Sequence, residues 1–106
     1  MIYEEQTYTM GVAKAAALVD AYERRGLAVL GRHFGDLVAF WTVDVGGDID
    51  QVIQVWGFQD HNDRARRRAA LLADPDWQEF AAEFGGLITR REMRILTAAP
   101  FSPHPS

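Results

Sequence analysis

The chain has 106 residues, a formal net charge of −4 and no cysteine. A chain of this length forms one domain with its own core, and without cysteine it has no disulfides, thiolate metal sites or cysteine nucleophiles. The acidic balance argues against nucleic acid as a partner. We find no signal sequence and no long apolar run, so we expect a cytoplasmic protein without a membrane partner.

The amino-terminal third predicts a strand followed by a helix. Residues 2–10 fit the two-residue alternation of a strand, with Glu4 and Tyr8 on the same side. Residues 12–30 carry apolar side chains at helical spacing, which predicts an amphipathic helix that frays near Gly26.

A β-hairpin is predicted next. Residues 37–45 and 51–58 are rich in β-branched and aromatic side chains, and Gly46-Gly47-Asp48 between them is typical of a tight turn. Strand geometry predicts two apolar faces on the first of these strands. One face would carry Leu37, Ala39, Trp41 and Val43, and the other Val38 and Phe40.

The register of this hairpin is left open by the sequence. A two-residue loop places Val52, Gln54 and Trp56 on the face of Trp41, whereas a three-residue loop places other residues there. Those other residues are Ile53 and Val55. A slip of one residue exchanges the whole set between the faces.

Two further helices and a strand complete the chain. Asp60 is predicted to cap the first of these helices, and Pro75 suits the first position of the next, over residues 76–84. Gly85-Gly86 ends that helix, and residues 87–98 fit a final strand with a more polar character.

The order β-α-β-β-α-β predicts an α+β fold, a ferredoxin-like plait with a four-stranded antiparallel sheet. Residues 1–99 form this single domain, and residues 100–106 form a proline-rich tail. Helices can cover only one of the two apolar sheet faces, so the other face needs a second sheet. An identical subunit is the simplest source, which predicts a homodimer.

The segments YEEQTYTM, GDLVAFWTVDVG, VIQVWGF, DRARRRAALLADPDW and ILTAAPFSP, in this order, resemble the NIPSNAP family over nearly the whole chain. The resemblance implies a dimeric α/β barrel, in which two plaits pack their open sheet faces together and each keeps a cavity between sheet and helices. The fold resembles cofactor-free monooxygenases, lactone isomerases and haem enzymes. The activity of the family itself is largely undefined, and some members look like adaptor or signalling proteins.

The chain departs from the expected family pattern at two positions. Asp50 and Gln54 stand where members tend to have an asparagine and a histidine. The amide of Gln54 can orient a ligand by hydrogen bonds, but it cannot exchange a proton near neutral pH. An acid–base role of that histidine elsewhere in the family does not transfer to this chain.

Candidate functional residues are mostly aromatic and basic. The tryptophans suit either core packing or a pocket for a flat ligand. Arg64, Arg66, Arg67 and Arg68 cluster on the predicted second helix, where they suit ion pairs with Asp60, Asp63 or the acidic first strand. The alternative is capture of a carboxylate or phenolate by Arg64 and Arg68, which lie one helical turn apart. We expect the carboxylates of the strands and turns to be solvated, among them Glu4.

Histidine offers one candidate base. His33 is predicted in the loop entering the second strand, near the mouth of the cavity, although a solvated loop histidine is the alternative. His61 is expected at the surface and His104 in the tail. Three histidines so dispersed give no metal signature, and a haem role would need His33 or His61 as axial ligand.

Two functional hypotheses follow. The first is a homodimer that binds a small apolar or aromatic molecule beneath the helices, with cofactor-free monooxygenase or isomerase activity as one option and no bound metal or cofactor. The alternative is a non-enzymatic interaction module with a solid core, which predicts no cavity. For the first hypothesis, His33 is the candidate catalytic residue, and the candidate ligand-binding residues are Tyr8, Trp41, Gln54, Trp56, Arg64, Arg68, Trp77 and Met93.

Overall fold

Four strands and four α-helices form the fold in the computed structural model, which describes residues 1–103. A π-helical segment, Tyr22–Gly26, joins the first two helices, and a 3₁₀ turn, Gly85–Leu87, precedes the last strand. The elements in chain order are β1 (Ile2–Met10), α1 (Ala15–Ala21), α2 (Leu27–His33), β2 (Asp36–Thr42), β3 (Gln51–Phe58), α3 (His61–Ala73), α4 (Pro75–Phe84) and β4 (Ile88–Leu96).

The sheet has the strand order β2-β3-β1-β4, and all neighbouring strands are antiparallel. β1 therefore occupies a central position, where both its edges are hydrogen-bonded. The helices cover one face of the sheet. This arrangement confirms the predicted ferredoxin-like α+β fold.

The first helical region does not fray at Gly26 as predicted. It continues through the π-helical segment to His33. A Cβ atom on Gly26 would stand 2.7 Å from Cζ of Phe80 and 2.8 Å from Cδ1 of Tyr22, so the glycine allows α4 to pack closely against this helix. Glycine has a low helix propensity, yet packing keeps the helix continuous at this position.

The loop of the β2–β3 hairpin is longer than predicted. β2 ends at Thr42, and the last β2–β3 pair joins Thr42 to Val52. Gly46 and Gly47 have φ angles of 87° and 56°, which glycine adopts without steric cost. The predicted glycines thus lie in the loop, but the loop is longer than a two- or three-residue turn.

A β-bulge decides the faces of β2. Leu37 pairs with Trp56 and Ala39 with Val55, so Val38 is an extra residue between them. Trp41 pairs with Ile53, which corresponds to the second of the two predicted registers. The bulge moves Leu37 to the helix-covered face, contrary to the prediction that it shares a face with Trp41.

The core lies between the helices and the covered face of the sheet. Tyr22 packs against Phe40 and Phe80, with ring centroids 5.3 and 5.1 Å apart, and Phe34 packs edge-on against Trp56 at 5.5 Å. Buried side chains include Leu18, Leu30, Val52, Phe58 and Leu71.

Aspartates cap the two carboxyl-terminal helices. Asp60 accepts a hydrogen bond from the backbone N–H of Asp63 at 2.7 Å, which confirms the predicted cap of α3. Asp74 accepts one from Asp76 at 2.9 Å, and Pro75 occupies the first position of α4. Over residues 1–103, no helix has the length and apolar character needed to cross a bilayer.

Candidate ligand-binding site

The helix-covered face of the sheet carries a row of polar side chains on β1. Strand alternation points Glu4, Gln6 and Tyr8 to this face, together with the buried Ile2 and Met10. Their partners across the sheet point the same way. These partners are Trp56, Gln54 and Val52 on β3, and Ile95, Met93 and Arg91 on β4.

Hydrogen bonds link this row into one network. The Tyr8 hydroxyl donates to Oε1 of Gln6, and Nε2 of Gln6 donates to Oε2 of Glu4. Nε of Arg64, on α3, donates to Oε1 of Glu4 at 2.6 Å. Glu4 is 0% exposed, so the prediction that it is solvated is wrong. Its charge is tolerated because Arg64 and Gln6 satisfy both oxygens.

A second polar group lies beside this network. Nε1 of Trp56 donates to Oε1 of Gln54 at 2.7 Å, which fixes the orientation of the buried amide. The Gln54 amide also faces the hydroxyl of Tyr22, where burial raises the pKa of Tyr22 and the interaction with the amide lowers it by a smaller amount.

Two tyrosines meet in this polar layer. Tyr22, on the π-helical segment, lies next to Tyr8 and Gln54. Burial raises the pKa of Tyr22, and the neighbouring Tyr8 raises it further. Burial also raises the pKa of Tyr8, against the opposing charge of Arg91. Both hydroxyls are therefore protonated near neutral pH and act as hydrogen-bond donors or acceptors.

A space between the sheet and the helices opens beside these tyrosines. It has two compartments of about 90 and about 190 Å³, which share four lining residues. The shared residues are Tyr8, Leu72, Trp77 and Arg91. We call this space the Tyr8 cavity. Arg68, Leu71 and Phe34 also line the smaller compartment, while Ala81 and Phe84 line the larger one.

The arginines of α3 differ in their partners. Arg64 pairs with Glu4 at 2.6 Å, and Arg66 and Arg67 both pair with Asp63 at 2.8 Å, as the ion-pair alternative predicted. Arg68 has no carboxylate partner among the described residues and lines the Tyr8 cavity. Of the two predicted arginines, Arg64 is thus held within the structure and Arg68 is available.

Four further candidate residues lie near the cavity in different ways. Trp77 lines both compartments. Gln54 and Trp56 lie in the polar layer below, with Trp56 2% exposed and covered by aromatic side chains. Met93 lies on the same face, with its Sδ 3.1 Å from Nη2 of Arg64. The structure therefore brings Tyr8, Arg68 and Trp77 together at the cavity wall.

Trp41 lies on the opposite face of the sheet. It is 58% exposed, and it borders a hollow of about 260 Å³ with Tyr3, Val38, Val55 and Leu96. This placement corrects the expectation that Trp41 lines a cavity beneath the helices. The physical reason is the register, which puts Trp41 and Gln54 on different faces.

His33 lies at the end of α2 rather than in a loop at the cavity mouth. Its Nε2 is 2.7 Å from Oδ2 of Asp74, the residue between α3 and α4. The hydrogen bond from His33 lowers the pKa of Asp74, and the backbone N–H of Asp76 lowers it further. This histidine therefore joins helices, and the structure gives it no contact with the cavity. His104 lies outside the described residues.

Sequence reasoning did not select Gln6, Tyr22 or Arg91 as site residues. The alternation of β1 already places Gln6 beside Tyr8, so a search for polar side chains on one face of a central strand could have found it. Arg91 appeared to be one of several arginines on a polar strand. No cluster of metal-ligating side chains is present within residues 1–103.

An antiparallel sheet of this order, with helices on one face and a cavity between the layers, defines a ferredoxin-like domain with an internal polar site. The sequence profile of the NIPSNAP family matches residues 3–103. The chain belongs to the NIPSNAP family.

Individual relatives agree with this assignment. Protein NipSnap homolog 3A of Homo sapiens is 28% identical over 102 residues, which cover 95% of this chain and 40% of that protein. The chain thus spans about 40% of the length of this curated relative.

Solved structures extend the comparison to the fold. A NIPSNAP family protein of unknown function from Agrobacterium tumefaciens is 35% identical, with a TM-score of 0.93 over 97% of this chain and 92% of that one. An antibiotic biosynthesis monooxygenase has a TM-score of 0.63 at 11% identity, over 94% of this chain and 100% of that one, which shows a shared fold alone.

Proposed function

We propose that this domain binds a small apolar or aromatic molecule in the Tyr8 cavity. The observation that carries the proposal is the space between sheet and helices, where aromatic and aliphatic walls meet a hydrogen-bonded polar layer. Ligand sites commonly combine apolar walls with a few polar groups. The compartments, of about 90 and about 190 Å³, suit a ligand with one small ring.

The alternative of a solid interaction module predicts no such space. The structure fills the region above Trp56 with Phe34 and Phe58, whose rings lie 5.1 Å apart. The cavity opens farther along the sheet, at Tyr8. Because an open space with polar groups is present there, ligand binding is the better supported of the two functions.

Catalysis in this cavity would require more than ligand binding. A cofactor-free oxygenase or isomerase needs a base that removes a proton from its substrate. The raised pKa values of Tyr8 and Tyr22 keep both hydroxyls protonated, and Glu4 is paired with Arg64. These residues favour holding and polarising a ligand over removing its proton.

We further propose that two subunits pack through the uncovered sheet face, as in the dimeric barrel that the family resemblance implied. Trp41 and Val55 contribute apolar surface there, at the hollow of about 260 Å³. A tryptophan that is 58% exposed beside other apolar side chains, on a sheet face that no helix covers, is typical of a protein interface.

Ligand binding can be tested with a variant that fills the cavity. Ala81 lines the larger compartment, and Ala82 is exposed next to it on α4. Calorimetric titration with phenol, indole and benzyl alcohol should show binding to the native protein and to Ala82→Phe. Affinity should fall at least about tenfold in Ala81→Phe, which corresponds to about 1.4 kcal/mol. Equal affinity of both variants would contradict the proposal.

Dimer formation can be tested by native mass spectrometry and light scattering. The native protein should have twice the mass of the chain, and Trp41→Ser should shift the equilibrium towards the monomer. Val12→Ser, which changes another exposed apolar residue outside the strands, should remain a dimer. A monomeric native protein would rule out this assembly.

A further inference from the structure

We propose that the ligand of the Tyr8 cavity is a small aryl carboxylate, whose carboxylate group is bound between the guanidinium groups of Arg68 and Arg91. The inference rests on the proposed function of the cavity, and it specifies the chemical class of the ligand. Arg68 approaches from α3 and Arg91 from β4, so the two cations face one space from the helical layer and from the sheet.

Arg68 and Arg91 differ from the other arginines in their pairing. Within residues 1–103, every arginine except Arg68 and Arg91 lies within 4.0 Å of a carboxylate oxygen. The chain has a formal net charge of −4, so carboxylates outnumber basic side chains. The two unpaired guanidiniums nevertheless line the same compartment. A carboxylate ligand would supply the partner that the protein itself does not.

The charge at the cavity wall is positive. The guanidinium of Arg91 lies 5.7 Å from the ring centroid of Tyr8, so the aromatic ring orients this cation at the cavity. Glu4, the carboxylate of the neighbouring polar layer, is engaged by Arg64 and Gln6. The charged side chains still available at the cavity are therefore cations, which favour an anion.

The apolar side chains beside Arg68 suit an aromatic ring. Leu71, Leu72 and Trp77 provide an apolar wall beside Arg68. A flat ring can pack against this wall while its carboxylate faces the arginines. The compartments are about 90 and about 190 Å³, well below the roughly 300–1,000 Å³ of typical ligand pockets. Nucleotides and other large anions are therefore excluded by size.

Matched ligands of nearly equal shape test this inference. Benzoate, phenylacetate and salicylate are each titrated against their amides, which keep the ring and lose the charge. We expect each carboxylate to bind the native protein at least about tenfold more tightly than its amide, since a charged hydrogen bond adds about 1.5–3 kcal/mol. Inorganic phosphate, which has charge but no ring, should bind more weakly than benzoate.

Variants of the two arginines complete the test. Arg68→Gln and Arg91→Gln should each lower benzoate affinity at least about tenfold and leave benzamide affinity unchanged. The controls are Arg66→Gln on the same helix and Arg90→Gln on the same strand, whose side chains pair with Asp63 and Glu92. Neither control should change benzoate binding.

The outcomes separate this inference from the proposed function. If benzoate and benzamide bind equally well, the cavity binds a ligand and the anion assignment is wrong. If phosphate binds as tightly as benzoate, the site recognises charge without the ring, which also overturns the inference. If neither the carboxylates, nor their amides, nor the neutral aromatic compounds bind, the proposed function fails together with it.

Discussion

Replacing Glu4 by glutamine should destabilise the fold by about 3 kcal/mol. The substitution keeps the size of the side chain and removes the charge that Arg64 contacts at 2.6 Å. Loss of one partner of a buried ion pair costs about 3–5 kcal/mol, because the other charge stays buried and unpaired. Glu4 is fully buried, but the side chain of Arg64 is 18% exposed, so water relieves part of the penalty and the lower end applies.

A control pair lies on the helical layer, away from the proposed dimer face. Asp20 on α1 pairs with Arg24 at 2.8 Å, and their side chains are 59% and 61% exposed. An exposed pair of this kind contributes about 0–1 kcal/mol. Asp20→Asn should therefore change the stability little, and its effect should disappear in about 1 M NaCl, where the Debye length is about 3 Å.

Urea unfolding at pH 7, followed by tryptophan fluorescence, measures both variants. Protein concentration is held constant because a dimer would make the apparent stability concentration-dependent. In thermal unfolding, Glu4→Gln should lower Tm by about 12 °C, at about 4 °C per kcal/mol for a domain of this size. The double variant Glu4→Gln/Arg64→Met should recover part of the loss, since it removes the unpaired charge.

A difference of less than about 1 kcal/mol between Glu4→Gln and Asp20→Asn, the upper limit for an exposed pair, would refute the role of the buried charge. Failure of the double variant to recover any stability would show that the loss comes from packing rather than from charge. Salt provides an independent check, because a buried pair is screened less than an exposed one.

Gly26→Ala should lower the free energy of unfolding by about 1–3 kcal/mol, because its Cβ would stand 2.7 Å from a phenylalanine ring of α4. At Gly31 an added Cβ atom would have no other atom within 4 Å, so Gly31→Ala should raise the free energy of unfolding by about 0.5–1 kcal/mol. Urea unfolding of both variants separates the effect of packing from that of helix propensity. Asp74→Asn should make the free energy of unfolding depend less on pH in the acidic range. The hydrogen bond from His33 lowers the pKa of Asp74 below its ordinary value of 3.8. The ionised carboxylate therefore stabilises the fold fully above pH 3.8, and this stabilisation is lost as the pH falls through the lower pKa of the folded state. Asparagine keeps the helix cap, so urea unfolding between about pH 2 and pH 7 should show a shallower loss for the variant, and an unchanged slope would contradict the linkage.

Much of the fold could be predicted because its signals are local. The local signals are alternation in β1, helical spacing after it, the cap residue Asp60 and Pro75 at the start of α4, and each acts over a few residues. The candidate site was only partly predictable. Tyr8 and Trp77 could be selected as large aromatic side chains, but the sequence did not show that Trp41 lies on the other side of the sheet. That depends on the register of the β2–β3 pairing, in which Trp41 lies opposite Ile53 and so shares its face rather than that of Gln54.

The sequence by itself determined the order of the elements, the alternation that puts Glu4, Gln6 and Tyr8 on one face, and the family to which the chain belongs. Only the tertiary structure decided that this face is covered by helices, that Glu4 is buried against Arg64, and that Arg68 and Arg91 meet at one cavity. The physical reason is the range of the interactions. Periodicity acts between neighbours in the chain, whereas burial and charge pairing depend on segments that only folding brings together.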